Sequence, residues 1–113
     1  MTMPLQCFKL LAATLAVLAT CAVTASAQPS AETRGEALLS RHCAMCHAIG
    51  RSGTSPHAVA PPFRTLAQRY PIESLEESLG EGLLSGHPDM PEFSFPPRDV
   101  GAIIRYLRSI QQR

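Results

Sequence analysis

The sequence predicts an all-α domain in which short helices are separated by long loops. Apolar residues recur at helical spacing in several segments, and no segment alternates apolar and polar residues as a half-buried strand does. The chain has 10 prolines and 7 glycines, and most of the prolines lie between those segments, which is typical of loops. A chain of 113 residues has room for one such domain.

Four helices are expected, and the last is the clearest. The first runs from about Ala31 to His42, with Ser30 as its N-cap and acidic residues near its start. A short second helix is expected over 63–69, and a third over 72–83 after Pro71. The last follows two prolines, and its apolar residues share one face: Val100, Ile103, Ile104, Leu107 and Ile110.

The first 27 residues have the order of features found in a secretory signal peptide. Lys9 precedes an apolar run over 10–19, and small residues at 25–27 form a cleavage site. We therefore expect export to the periplasm and cleavage after Ala27, leaving a domain over 28–113. Two alternatives stay open: a lipoprotein cleaved before Cys21, and an uncleaved membrane anchor.

The charge balance of the exported part excludes a nucleic-acid-binding protein. The chain has 10 basic and 9 acidic residues, and its one lysine, Lys9, lies in the signal segment. Residues 28–113 therefore carry nine arginines against nine acids, whereas nucleic-acid binding requires a basic surface. We expect no membrane span in the mature form.

Cys43-Ala44-Met45-Cys46-His47 is a C-x-x-C-H motif, which is the attachment sequence for a c-type haem. Residues three apart are neighbours on a helical turn, so both cysteine sulfurs can bond to one edge of the haem. The histidine that follows is then directed at the iron. The motif predicts covalent attachment at Cys43 and Cys46 and an axial iron ligand at His47.

Three other interpretations compete for the same motif. An oxidising compartment permits a disulfide between Cys43 and Cys46, but a disulfide leaves His47 without a role. Zinc could bind these three residues with one further histidine, although the other histidines are scattered singly. A thioredoxin-like redox pair requires a βαβ setting, which the sequence does not predict.

Met90 is the predicted ligand on the other side of the iron. Residues 28–113 contain two methionines, and Met45 lies inside the attachment motif, from which its sulfur cannot reach the opposite haem face. Met90 lies between Pro88 and Pro91 in a loop that those prolines stiffen. His87 is the alternative ligand.

The chain from about Gly35 to Ile110 resembles a small bacterial class I cytochrome c. The resemblance depends on the motif at 43–47, on Ala60-Pro61-Pro62-Phe63, on Met90-Pro91, and on Tyr106-Leu107 in the last helix. It implies a cytochrome c-like fold of about four helices around one covalently bound haem c.

The resemblance also implies roles for individual residues. The carbonyl of Pro61 would accept a hydrogen bond from His47 and fix its ring, and Gly35 would allow the first and last helices to cross closely beneath Tyr106. Mitochondrial-type members surround the exposed haem edge with lysines. This chain has no lysine after Lys9, so the partner preferences of those members do not transfer to it.

These features predict a periplasmic carrier of single electrons rather than an enzyme. We expect a monomer with redox-protein partners, a dehydrogenase or reductase as donor and an oxidase as acceptor.

One rival function is a haem enzyme or gas-binding protein with an open iron position, for which His57 and His87 are the available catalytic groups. Another is a docking subunit of a larger complex, with Phe93 and Phe95 exposed. Phenylalanines in such a loop more commonly line the haem pocket, and His42 and His57 are expected to face solvent.

Overall fold

The computed structural model describes residues 26–112, and the all-α prediction is confirmed there. The signal-peptide prediction falls almost entirely outside the described residues. Within them, the regular secondary structure is helical, and the one β-type pairing is an isolated bridge between Leu83 and Phe93. The elements are the α-helices α1 (Ala31–His42), α2 (Leu75–Glu81) and α3 (Pro97–Ile110), and the 3-10 helices Phe63–Gln68 and Ile72–Ser74.

Helix α1 has the predicted bounds, and its cap explains where it begins. The Ser30 side chain accepts a hydrogen bond from the Thr33 backbone N–H at 3.1 Å, which satisfies one of the free donors of the first turn. At the other end, the Cys43 N–H donates to the Leu39 carbonyl at 2.8 Å. The helix therefore leads directly into the cysteine motif.

The second and third helices differ from their predicted form. The second is a 3-10 helix that ends at Gln68, one residue before the predicted Arg69. The third begins as a 3-10 turn over Ile72–Ser74, becomes α-helical at Leu75, and stops at Glu81 rather than at residue 83. Its end is set by Gly82, whose φ of 134° is a conformation that side chains disfavour.

Helix α3 carries most of the core and packs across α1. Its residue Ile103 is completely buried, and Leu39 of α1 is 2% exposed against the same core. The buried apolar cluster consists of Leu39, Phe63, Leu66, Ile72, Leu79, Phe95, Val100, Ile103, Ile104, Tyr106, Leu107 and Ile110. The core thus joins α1 and α3 to the 3-10 helices and α2, and leaves the cysteine motif at its border.

An ion pair also joins the two crossing helices. Arg34 of α1 donates from Nε to Asp99 Oδ1 at 2.6 Å, and its Nη2 lies 2.5 Å from the same oxygen. Asp99 is buried in the first turn of α3, where a negative charge is favoured by the helix dipole. A buried carboxylate needs such a partner, so this pair fixes how α1 meets the start of α3.

Candidate functional site

The cysteine motif forms one tight turn at the end of α1. The backbone N–H groups of Cys46 and His47 both donate to the Cys43 carbonyl, at 3.1 Å and 2.9 Å. Both cysteines are half-buried free thiols. The turn therefore presents two thiols and an imidazole from neighbouring positions, and neither thiol is engaged in a disulfide.

The thiol of Cys43 is held in its neutral form. Burial, and then the charge of the neighbouring Cys46, raises the pKa of Cys43 to about 11. Burial has this effect because it disfavours the charged thiolate. At neutral pH the Cys43 side chain is consequently a protonated thiol at the border of the core.

The ring of His47 is fixed in one tautomer by Pro61. Its Nδ1 lies 2.8 Å from the Pro61 carbonyl oxygen. A carbonyl can only accept a hydrogen bond, so Nδ1 carries the hydrogen and Nε2 keeps a free lone pair. The Phe63 ring supports the imidazole, with ring centroids 4.6 Å apart and planes inclined by 33°. His47 is therefore oriented and prepared to bind a metal through Nε2.

The loop that follows the motif is held back against it by hydrogen bonds. The Ala48 N–H donates to the Ser55 hydroxyl at 3.0 Å, and the Phe63 N–H donates to the Ala48 carbonyl at 2.9 Å. The Tyr106 hydroxyl of α3 donates to the Ile49 carbonyl at 3.2 Å. These contacts bring Pro61 next to His47, although Pro61 lies 14 positions further along the sequence.

Met90 lies in a second loop, which begins and ends at the bridge between Leu83 and Phe93. The Leu83 N–H donates to the Phe93 carbonyl at 2.8 Å, and the Met90 N–H donates to the His87 carbonyl at 3.1 Å. Met90 is half-buried, whereas Met45 is 88% exposed. The two methionines thus have the environments expected of a ligand candidate and of a solvent-facing residue.

A contact between the two loops was not predicted from the sequence. His57 was expected to face solvent, but its Nε2 lies 3.5 Å from Asp89 Oδ2. Its ring also packs edge-on against the ring of His87, with the two ring centroids 5.7 Å apart. His42 is exposed as expected, although its ring packs edge-on against the ring of Phe95, with the two ring centroids 5.4 Å apart. No periodicity or motif marks His57, because its partners lie in a distant part of the sequence.

The phenylalanines of the second loop do not form an exposed patch. Phe95 is 8% exposed, and Phe93 is half-buried with its ring stacked on that of Phe95 at 6.3 Å. The partly buried apolar residues beside the core are Leu38, Cys43, Ile49, Leu75, Leu83 and Phe93. Phe93 and Phe95 therefore do not offer the exposed patch that a docking subunit would require, and their burial agrees with the expectation that phenylalanines in this loop line the haem pocket.

The donor set fits a covalently bound haem. Two free thiols stand on one turn, an adjacent imidazole has its Nε2 lone pair available, and a half-buried thioether lies in a loop joined to that turn. These are the groups that attach haem c and bind its iron in proteins. By contrast, no group of three or more His, Cys, Asp or Glu residues within 26–112 is arranged to hold a metal ion, so the zinc interpretation gains no support.

Comparison with known proteins agrees with this geometry. A family model described as "Cytochrome C oxidase, cbb3-type, subunit III" matches residues 30–107, well over half of the chain. The chain belongs to this family of c-type cytochrome domains. No curated protein and no solved structure matches the chain.

Membership in this cytochrome family confirms the resemblance to a small class I cytochrome c, and it supports haem-based electron transfer. The cytochrome c-like all-α fold is confirmed as well. The individual roles predicted for Cys43, Cys46, His47, Met90 and Pro61 remain predictions that agree with the positions described above. Among the described residues, no helix has both the length and the apolar character required to cross a membrane.

Proposed function

We propose that this cytochrome is a periplasmic carrier of single electrons, with haem c attached to Cys43 and Cys46 and its iron bound by His47 and Met90. The observation that carries the proposal is the hydrogen bond between His47 and the Pro61 carbonyl. It leaves the imidazole with one free nitrogen, fixed in direction, beside two free thiols. No catalytic group is needed for such a protein.

Each residue of the site has a defined task in this proposal. When bound, haem c supplies an iron that accepts and releases one electron. Cys43 and Cys46 would retain the cofactor through two thioether bonds, and His47 would bind its iron. The Pro61 carbonyl orients the imidazole and increases its basicity. Phe63 keeps water from one side of that ring.

Met90 decides between a carrier and an enzyme. If the Met90 thioether and His47 both bound the iron, no iron position would be left for oxygen, peroxide or nitrite, and the thioether would raise the reduction potential. Iron held in this way would need little rearrangement when its charge changes. The half-buried position of Met90, in a loop closed at Leu83 and Phe93, supports this assignment.

The test is the visible spectrum of the ferric protein and of the Met90→Ala variant. The unmutated protein is expected to have the weak far-red sulfur-to-iron band and to bind cyanide slowly. Met90→Ala should lose the band, lower the potential and bind cyanide or carbon monoxide readily. His87→Ala is the matched control, since it removes the alternative ligand from the same loop and should keep the band.

Two results would contradict the proposal. An unmutated protein that lacks the band and binds cyanide at once would indicate an open iron position, and hence an enzyme or a gas-binding protein. Loss of native ligation in His87→Ala with an unchanged Met90→Ala spectrum would transfer the ligand role to His87.

A second candidate function is a subunit of a terminal oxidase. The matched family is described by the name of an oxidase subunit, and this favours a permanent partner over free diffusion. Purification from native periplasmic and membrane fractions separates the two candidates. A free carrier is recovered as a monomer from the periplasm, whereas a subunit copurifies with oxidase polypeptides from the membrane.

A further inference from the structure

We propose that His57 is a positioning residue for Met90, which it holds in place by tying the Met90 loop to the loop that follows the haem-attachment turn. The inference rests on the proposed role of Met90 as an iron ligand. It adds that the strength of this ligation depends on a side chain in another loop, which acts through its contacts with Asp89 and His87.

His57 is anchored on the side of the attachment turn. Its backbone N–H donates to the Cys46 carbonyl at 3.1 Å, and the Ala60 N–H donates to the His57 carbonyl at 3.1 Å. The side chain is 35% exposed, so much of the ring is covered by protein. Its backbone is therefore fixed relative to the cysteine that carries the haem.

The ring of His57 reaches the one turn that contains Met90. Its Nε2 lies 3.5 Å from Asp89 Oδ2, and its edge meets the His87 ring at 5.7 Å with planes 86° apart. Within that turn, the Asp89 N–H donates to His87 Nδ1 at 3.3 Å, and the Met90 N–H donates to the His87 carbonyl at 3.1 Å. His57 therefore contacts Asp89 and His87, which form the hydrogen bonds of the turn that contains Met90.

The Met90 loop needs such a contact because its own ties are few at this end. Gly86, with a φ of 73°, adopts a backbone conformation just before His87 that residues with a side chain disfavour. The bridge between Leu83 and Phe93 closes the base of the loop, seven residues before Met90 and three residues after it. Among the described residues, the hydrogen bonds of residues 84–91 lie within that segment itself. A contact to His57 lowers the free energy of the closed loop and so lowers the fraction of time that the sulfur is away from iron.

The size of the effect follows from the exposure of the contact. The Asp89 side chain is 68% exposed, and exposed charge contacts are weak. Removing one should raise the open fraction of the loop about two- to fivefold. Cyanide binding to the ferric protein measures this fraction, because at high cyanide concentration the release of Met90 limits the rate.

The experiment compares haem-loaded wild type with His57→Ala, Asp89→Asn and the double variant. Each single variant is expected to bind cyanide about two- to fivefold faster and to exchange the amide hydrogens of residues 87–90 faster. The double variant should match the single ones, because either change removes the same contact. His57→Gln, which places an amide nitrogen near the position of Nε2, should restore the slow rate.

Val59→Ala is the control, since Val59 is in the same loop and 65% exposed. It should leave both the cyanide rate and the far-red band unchanged. The inference is overturned if His57→Ala and Asp89→Asn bind cyanide at the wild-type rate, if their effects add in the double variant, or if His57→Gln behaves like His57→Ala. A wild-type protein without the far-red band is a different result, which contradicts the proposed ligation by Met90.

Discussion

Gly35 of α1 lies directly against the backbone of Ala102 in α3. A β-carbon at residue 35 would overlap the Ala102 carbonyl oxygen and stand 2.8 Å from the Tyr106 β-carbon. The two helices therefore touch through their backbones, and the closeness of this crossing depends on the missing side chain. The same Tyr106 donates from its hydroxyl to the Ile49 carbonyl, so the crossing also sets the position of the loop that follows the cysteine motif.

Replacing Gly35 by alanine should destabilise the haem-loaded protein by about 1–3 kcal/mol, because the neighbouring atoms belong to backbone and cannot move aside cheaply. Gly101→Ala is the matched control in α3, where an added β-carbon meets nothing within 4 Å. That change should stabilise the protein by about 0.5–1 kcal/mol, as expected for an exposed helical glycine. Denaturation in guanidinium, followed by circular dichroism, measures both. Equal stability of the two variants would show that the helices do not touch at Gly35.

Tyr106→Phe should cost about 0.5–1.5 kcal/mol at neutral pH, since it leaves the Ile49 carbonyl without its donor. Burial, and then the nearby Glu36, raises the pKa of the Tyr106 hydroxyl, while Arg51 opposes the change. A raised pKa in the folded state gives stability that is complete below the unfolded pKa and is lost as the pH rises through the folded value. The cost of Tyr106→Phe should therefore shrink above about pH 10. Denaturation curves at neutral and alkaline pH test this, with exposed Tyr70→Phe as the control, and a constant difference across that range would contradict it.

The parts of this fold that sequence could predict are those set by local chemistry. Ser30 ends the preceding coil because its hydroxyl caps α1, and the apolar spacing from Val100 to Ile110 is strong enough to define α3. The C-x-x-C-H motif combines spacing and residue type so specifically that it indicates its cofactor without any structure.

The parts that sequence did not predict depend on contacts between distant segments. The spacing over 72–83 is helical throughout, yet the Leu83 N–H pairs with the Phe93 carbonyl and so leaves the helix. His57 has no neighbour in the sequence that indicates its contact with Asp89. Periodicity describes which face of a helix is apolar, but it does not report how two loops meet.

Replacing Cys43 and Cys46 together by alanine should leave the haem extractable with acidified organic solvent, because no thioether bond then retains it. Met45→Ala is the matched control, since this residue lies between the cysteines and its side chain is 88% exposed. Its haem should stay with the protein through the same extraction. Haem that remains covalently bound in the double variant would show that attachment occurs elsewhere.

The mature protein is expected to begin at Gln28, after export and cleavage behind Ala27. This expectation rests on the order of Lys9, an apolar run and small residues in the first 27 positions, which is the order found in secretory signal peptides. Intact-mass measurement of protein purified from its native source decides the matter. A chain that starts at Cys21 with added lipid mass would establish the lipoprotein form, and a chain that starts at Met1 would establish an uncleaved anchor.

Electron transfer to the native partner should depend only weakly on salt. Residues 28–113 carry nine arginines and nine acids, and they contain no lysine that could surround the haem edge. Association steered by opposite charges slows steeply as ionic strength rises, because mobile ions screen the attraction. Haem propionates add some negative charge, so a modest dependence agrees with this expectation.

Stopped-flow rates of electron transfer, measured from low to moderate salt, provide the test. Val59→Lys adds a cation to the loop beside the cysteine motif, and it should steepen the salt dependence of the rate with an acidic partner. A fall of several decades in the unmutated protein would reveal a local charged surface that the balanced total conceals.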